Sequence, residues 1–580
     1  MIQYISSLIH VASGREPADL LVKNGRFLDV FSGELVEGDM AVYQGRIAAL
    51  GPSGRYRGKT EHDVQGRLVV PGLIDAHVHI ESSLHGPAGF ASLTVPRGTT
   101  TVVADPHEIA NVCGLDGIRW ILDASENVPL SVFVMLPSCV PATAFEDAGA
   151  VLKAENLAEL IDHPRVLGLG EVMDYPAVAA ADESMVAKIA MAREHGKHVD
   201  GHSPGLCGIQ LTAYSAAGIG TDHECAAAQE MKERLQLGMK ILIREGTAAR
   251  DLAALIPEVN SRTARRCAFC TDDKLPNDIM KEGHIDFNIR KAAGMGFDPV
   301  EAVRLATLNA AETYNLNDRG ALAPGRRADF VVLEGELADF RALEVFQGGE
   351  PVARKGKLLK ALPQCDNSPV LDTVKTAALK RDKLNLHIPK GRARVIKMTA
   401  GSLLTGALEL DVPTDDNGFF VPDPGRDLLK LVVVERHRAS GLTGVGIVQG
   451  YGLKNGAAAS SIAHDSHNLI AVGDDDDAIL AALESLRACG GGISVAAKGG
   501  KSLGTLPLPL GGLMSDTPAE ETVRKLEELS VLAHEHLGVR GELDPFMPLS
   551  FLALPVIPDL KLTARGLFDV RTFQFVPVAV

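Results

Sequence analysis

Apolar residues along this chain keep different rhythms in different places, and the changes of rhythm divide it into segments. Residues 20–50 alternate apolar and polar positions in short runs, broken by Asn24-Gly25, Ser32-Gly33 and Gln44-Gly45. Period-two alternation with such dipeptides at the breaks predicts a small antiparallel sheet. The same texture returns in residues 326–357. Two β-type flanks around a different middle suggest one composite β-sandwich, with residues 1–65 and 321–364 as its two parts.

Between the flanks, residues 66–320, short apolar runs alternate with stretches of helical periodicity such as ENLAELIDHP and DESMVAKIAMAREHG. The candidate strands are RLVVPGLIDAHVH, TTTVVADPH, LSVFVML, VLGLGE, KHVDGH, GIGTDH, MKILIRE and CAFCTDD. In the first, Val69 to Ile74 reads as a buried strand with Pro71 and Gly72 at its start. Eight β/α units over roughly 260 residues predict an α/β chain built on a (β/α)8 TIM-like barrel, whose working residues belong at the C-terminal ends of the strands. A doubly wound open sheet is the second choice, but no GxGxxG follows the first strand.

Residues 365–580 change texture again: PQCDNSP reads as a linker, and the remainder as a mixed α/β domain. The acidic run Asp474 to Asp477 precedes AILAALESL, where acids cap free N–H groups and offset the helix dipole. Thr517, Pro518 and Glu520 form a capping box that predicts an amphipathic helix stopping at Gly538.

Composition narrows the function. The 580 residues are 46% hydrophobic and 23% charged, with a net charge of −16. That is the balance of a globular protein and argues against wholesale binding of nucleic acid or of an anionic membrane surface. The first twenty residues lack a basic segment followed by an apolar core, so no signal peptide is predicted. No apolar run reaches the ~18 residues of a membrane span. Eight scattered cysteines suit a reducing compartment, the cytoplasm, and the lone CxxC of Cys267 and Cys270 reads as buried thiols. A small-molecule substrate and a homo-oligomeric state are expected.

The candidate chemistry lies at the strand ends. His77 and His79 stand two apart on the first strand and so share a face. The second strand ends in Asp105 and His107, the fourth in Glu171, the fifth in His202, the sixth in His223, and the eighth in Asp272 and Asp273. A barrel brings these to one mouth. Four imidazoles, a glutamate and an aspartate make a nitrogen–oxygen donor set for two divalent cations with open positions. Such donors suit zinc, manganese or iron.

The ordered set His-x-His, strand-four acid, His, His, Asp resembles the amidohydrolase superfamily. VVPGLIDAHVH and NAAETYNLNDRGALAPGRRADFVVL resemble its barrel start and its return to the composite sandwich. Within it, ADPHEIANVCG, DGHSPGL, LPSCVPAT and LALPVIPDLKLTARGLFDV resemble the bacterial adenine deaminases over essentially the whole chain. Many superfamily members bridge their metals with a carbamylated lysine on strand four. Here that strand carries Glu171 and no lysine, so the native carboxylate is the expected bridge.

This resemblance implies hydrolytic deamination of adenine to hypoxanthine and ammonia, with two divalent metals per chain, manganese or iron, and with zinc also fitting. The metal ligands would be His77, His79, Glu171, His202, His223 and Asp272. Asp272 would move a proton to the departing amine, and His107 or Glu108 would polarise or protonate the ring. Glu81, Ser82, Ser83 and Asp273 would line the purine pocket. His464, Asp465 and His467 in the C-terminal domain form either a hydrogen-bonded turn or an extra cluster that completes the site or holds another metal. His195 and His198 are expected at the surface. The alternative activity is that of another binuclear amidohydrolase, acting on a cyclic amide or an N-acyl substrate. A third possibility, a non-catalytic scaffold, is opposed by the complete ligand set.

Overall fold

The computed structural model describes residues 2–399, 404–541 and 543–580. Eight parallel strands carry the middle segment: β1 (Leu73–Val78), β2 (Thr99–Ala104), β3 (Ser131–Leu136), β4 (Val166–Val172), β5 (His198–Gly201), β6 (Thr221–Asp222), β7 (Lys240–Arg244) and β8 (Cys267–Cys270). The pairings run β1 to β5 and β6 to β8. Two seams close the ring. Gly220 N–H donates to Val199 O at 2.9 Å between β5 and β6, and Asp272 N–H to His77 O at 3.0 Å between β8 and β1. Every residue of β1 and β2 is buried, as expected where helices cover one face of a parallel sheet and side chains fill the other. Ile74, Ala76, Val103, Met135, Leu242 and Ala268 pack inside the barrel, and Tyr314 and Leu316 join the same cluster.

The two β-type flanks join in one nine-stranded sheet. Strand Phe330–Leu333 pairs antiparallel with Leu68–Pro71, which lies parallel to Ala18–Leu28. The run read as one strand from Val69 to Ile74 is therefore two. Leu68–Pro71 belongs to the sheet and Leu73–Val78 to the barrel. Gly72 makes the turn, and a Cβ there would lie 2.2 Å from Thr100 Oγ1. A helix not anticipated from the sequence, Ile2–Ala12, packs Val11 against Leu21, Ala41 and Ala48 of this sheet.

The C-terminal segment builds an eight-stranded, largely antiparallel sheet and a smaller three-stranded one. Asp475 caps helix Asp476–Ala488 by accepting from Ala478 N–H at 3.0 Å, as the acidic run predicted. The second helix, Ala519–Glu535, has no side-chain cap. Thr517 instead contacts the hydroxyls of Ser515 and Thr522, so the expected capping box does not form.

This segment lies over the barrel mouth. His85 Nε2 contacts Thr522 Oγ1 at 3.1 Å, Ser515 N–H donates to Leu84 O at 2.7 Å, and Arg565 pairs with Asp147 at 2.8 Å. No helix among the described residues is long and apolar enough to cross a membrane.

Candidate active site and metal centre

The barrel strands end in one buried cluster of imidazoles and carboxylates. The His77 and His79 rings lie 4.9 Å apart and almost perpendicular, at 88°. His79 Nδ1 donates to the Asp105 carbonyl at 2.9 Å. That bond fixes the ring and leaves Nε2 as its free lone pair, 3.0 Å from Asp272 Oδ1.

Glu171, at the end of β4, is the hub. Its Oε2 lies 3.0 Å from His223 Nε2, 3.2 Å from His202 Nδ1 and 3.5 Å from His77 Nε2. Its Oε1 lies 3.3 Å from His107 Nδ1 and 3.8 Å from His79 Nε2. One carboxylate thus turns its two oxygens toward two sets of imidazoles, the arrangement a bridging ligand needs. Asp105 orients it, accepting from the Glu171 N–H at 2.8 Å through Oδ2. Only a residue without a Cβ fits at position 170, because that carbon would lie 2.0 Å from the same oxygen. Lys240 starts β7 at the opposite end of the barrel, where Nζ donates to Glu312 O at 3.1 Å.

The donors fall into two principal groups of metal-ligating size: His77, Glu171, His223 and Asp272, and then His79, His107 and Glu171. His77 Nε2 and His107 Nδ1 are buried and have no hydrogen-bond partner, although both face Glu171. Orphaned buried nitrogens are costly, and their aim at a shared carboxylate fits divalent cations held by nitrogen and oxygen. The geometry also adds His107, expected only to act on substrate, to the donor set.

Electrostatics agree with an anionic hub. Burial pushes the Glu171 carboxyl up, but His202 and His223 together outweigh it and hold it well below the usual range. Asp272 is likewise raised by burial, then taken well below its ordinary value by His77, His79 and Arg244.

Two residues of this centre were not found from the sequence. Glu224 Oε1 lies 3.7 Å from both His202 Nδ1 and His223 Nε2. Arg244, ending β7, binds Glu224, Asp251 at 3.1 Å and Asp272 at 3.1 Å. The signal for Arg244 was its place near the end of MKILIRE, and for Glu224 its place directly after His223, both at strand ends where the other working residues lie.

A pocket with an empty volume of about 670 Å³ opens beside the cluster. Glu81, Ser82, Glu108 and Asp273 line it on the barrel side, and Ile462, His464, His467, Phe546 and Phe551 on the C-terminal side. Burial raises Glu81 to about 7; its Oε1 accepts from Ile109 N–H at 3.1 Å and its Oε2 has no partner. Asp273 contacts the Ser82 hydroxyl. Ser83 does not line the pocket: its hydroxyl donates to Ile80 O at 2.7 Å within the turn after β1. Its neighbour Ser82 does line it. His195 pairs with Asp162 at 2.8 Å on the surface, as expected. His198, also expected at the surface, is instead half-buried at the start of β5, against Asn315 at 3.1 Å, because the strand carries it into the barrel wall.

A parallel barrel with imidazoles and carboxylates at its strand ends defines a class, and comparison with known proteins agrees. The model of the amidohydrolase family matches residues 68–359, and the chain belongs to that family. The model of the adenine deaminase C-terminal domain matches residues 402–574. The chain is 53% identical over 99% of its length, and 99% of theirs, to proteins named adenine deaminase from Nitratidesulfovibrio vulgaris. It is 49% identical to adenine deaminase 2 of Carboxydothermus hydrogenoformans, over 99% of this chain and 100% of that one. For the adenine deaminase of Halalkalibacterium halodurans the identity is 47%, over 98% and 97%. Within the amidohydrolases, this chain is a member of the adenine deaminase family.

Proposed function

We infer that this protein is an adenine deaminase, a hydrolase that converts adenine and water to hypoxanthine and ammonia. The observation that carries this is full-length similarity to adenine deaminases in a chain that also has a buried imidazole–carboxylate hub beside an apolar pocket. His77, His79, His107, Glu171, His202, His223 and Asp272 would hold two divalent cations, manganese, iron or zinc, with Glu171 shared between them. When bound, such a pair lowers the pKa of a water toward neutrality and so supplies a nucleophile for purine C6.

The chain's own residues do the rest. Asp272 is fixed through Oδ2 by Arg244, while Oδ1 faces His79. A carboxylate so held is positioned to take a proton and return it to the departing amine. Phe546, Phe551, Ile462 and Leu84 form flat apolar walls for a heterocycle. Glu81 Oε2, unpartnered, and Asp273 present polar atoms toward the edge of a ring held there. Glu108 also reaches the pocket, but it is engaged by His107 and by the C-terminal histidines. Among the described residues all eight cysteines are free thiols, which supports the cytoplasm as the working compartment. A homo-oligomer remains the expected state.

The test strips metal from the protein, restores manganese, iron or zinc, and follows hypoxanthine formation. Activity that returns with metal and disappears in Glu171→Ala supports the reading. Folded, metal-replete protein that makes no hypoxanthine would move the substrate to another cyclic amidine or amide.

A further inference from the structure

A second cluster of ligand-type atoms lies where the C-terminal domain meets the barrel, and the proposed mechanism does not use it. Glu108, His464 and His467 bring one carboxylate and two imidazoles together, all buried. His464 Nδ1 lies 2.7 Å from Glu108 Oε1, and His467 Nε2 touches Glu108 Oε2. Asp465 Oδ1 stands 4.0 Å from His464 Nδ1 and 4.0 Å from His107 Nε2.

Two observations separate this cluster from an ordinary polar contact. Glu108 Oε2, His467 Nε2 and Asp465 Oδ2 are buried with no hydrogen-bond partner. Glu108 Oε2 and His467 Nε2 are in contact without the alignment of a hydrogen bond, so that contact leaves the buried carboxylate oxygen unsatisfied. The loop that carries the histidines is also tightly fastened. Arg436, fully buried, donates to His467 O, and His437 Nε2 contacts Ser466 O at 2.7 Å. Ser466 donates to Glu146 at 2.6 Å and Asn468 to Asp147 O at 2.9 Å. A loop held at this many points fixes its imidazoles in advance, as a metal site requires.

We propose that Glu108, His464 and His467, with Asp465 beside them, form a third divalent-cation site, distinct from the pair centred on Glu171. Two imidazoles and a carboxylate suit zinc, manganese or iron and leave positions open. Those positions face the pocket, because Glu108, His464 and His467 all line it. His107 connects the two centres, with Nδ1 at 3.3 Å from Glu171 and Nε2 at 3.3 Å from Glu108. The C-terminal domain therefore contributes ligands, and not only a cover, to the barrel mouth. The site itself does not rest on the assignment of the Glu171 pair; only its orientation toward substrate rests on the proposed function.

The experiment loads full-length protein with manganese, removes excess by gel filtration and counts metal per chain by mass spectrometry. Wild type is expected to hold three, His464→Ala/His467→Ala two, and Glu171→Ala one. An anomalous-scattering map of the manganese-loaded wild type should show density between Glu108, His464 and His467, and this reading does not depend on the variants folding. Two metals in wild type with no density at that position would overturn the proposal and leave a hydrogen-bonded clasp. Three metals in the double-histidine variant would overturn it as well. A Glu171→Ala protein that kept all its metal would instead refute the paired centre, so the two failures are distinguishable.

Discussion

Arg244 offers the most direct check on how this site is held together, and Arg244→Met is the perturbation. The guanidinium is buried at the end of β7 and binds three carboxylates, two of them, Asp251 and Asp272, at 3.1 Å. At that distance and an effective dielectric of ~20, each attraction is worth about 5 kcal/mol. Desolvation of the ions offsets several kcal/mol of the total. Removing one partner from a buried pair commonly costs about 3–5 kcal/mol, and here three carboxylates lose their counter-ion together. The expected loss in metal-free protein is about 5 kcal/mol. With metal bound, Asp272 gains another positive neighbour, so the loss should be smaller. The chain has one tryptophan, Trp120, buried on the helix His107–Ala124, and its fluorescence follows urea unfolding of the barrel. Midpoint and slope give the free energy for wild type and variant, metal-free and manganese-loaded. A loss below about 1 kcal/mol in metal-free protein, or an equal loss in both states, would refute the reasoning.

Three further outcomes are expected. Burial lowers His85 to about 4, against about 6.5 unfolded. The unfolded chain therefore takes up the proton first, and stability is lost as pH falls from 6.5 toward 4, by about 2 kcal/mol at pH 5. His85→Gln should flatten that dependence in urea midpoints compared at pH 7.5 and 5, and an unchanged slope would count against it. Gly170→Ala should abolish deamination in folded protein, because the new methyl displaces the Asp105 carboxylate that orients Glu171; circular dichroism separates this from unfolding, and near-normal turnover would contradict it. Phe551 stacks on His464 at 4.5 Å and lines the pocket. Stacking worth about 1 kcal/mol predicts a roughly fivefold rise in KM for adenine in Phe551→Ala, with kcat less affected; steady-state kinetics with unchanged KM would remove the ring from the substrate wall.

The sequence by itself determined the barrel and most of its centre. Eight short apolar runs separated by helical stretches specify parallel strands, and a strand's period of two dictates that His77 and His79 share a face. The absence of a lysine near Glu171 could be read directly, since a bridging ligand is a matter of residue type. Tertiary structure decided what depends on direction and distance. Pro71 and Gly72 lie inside one apolar run, and only the pairing of Leu68–Pro71 with Phe330–Leu333 shows that the run serves two sheets. Ser82 and Ser83 are equivalent in a sequence, but the tight turn after β1 sends one hydroxyl to the pocket and the other to Ile80 O. Glu224 and Arg244 are unremarkable charges until barrel closure removes water from around them and makes them partners. Glu108 meets His464 and His467 across more than 350 residues of chain. No local pattern carries such a contact, because it arises only when the C-terminal domain packs over the barrel mouth.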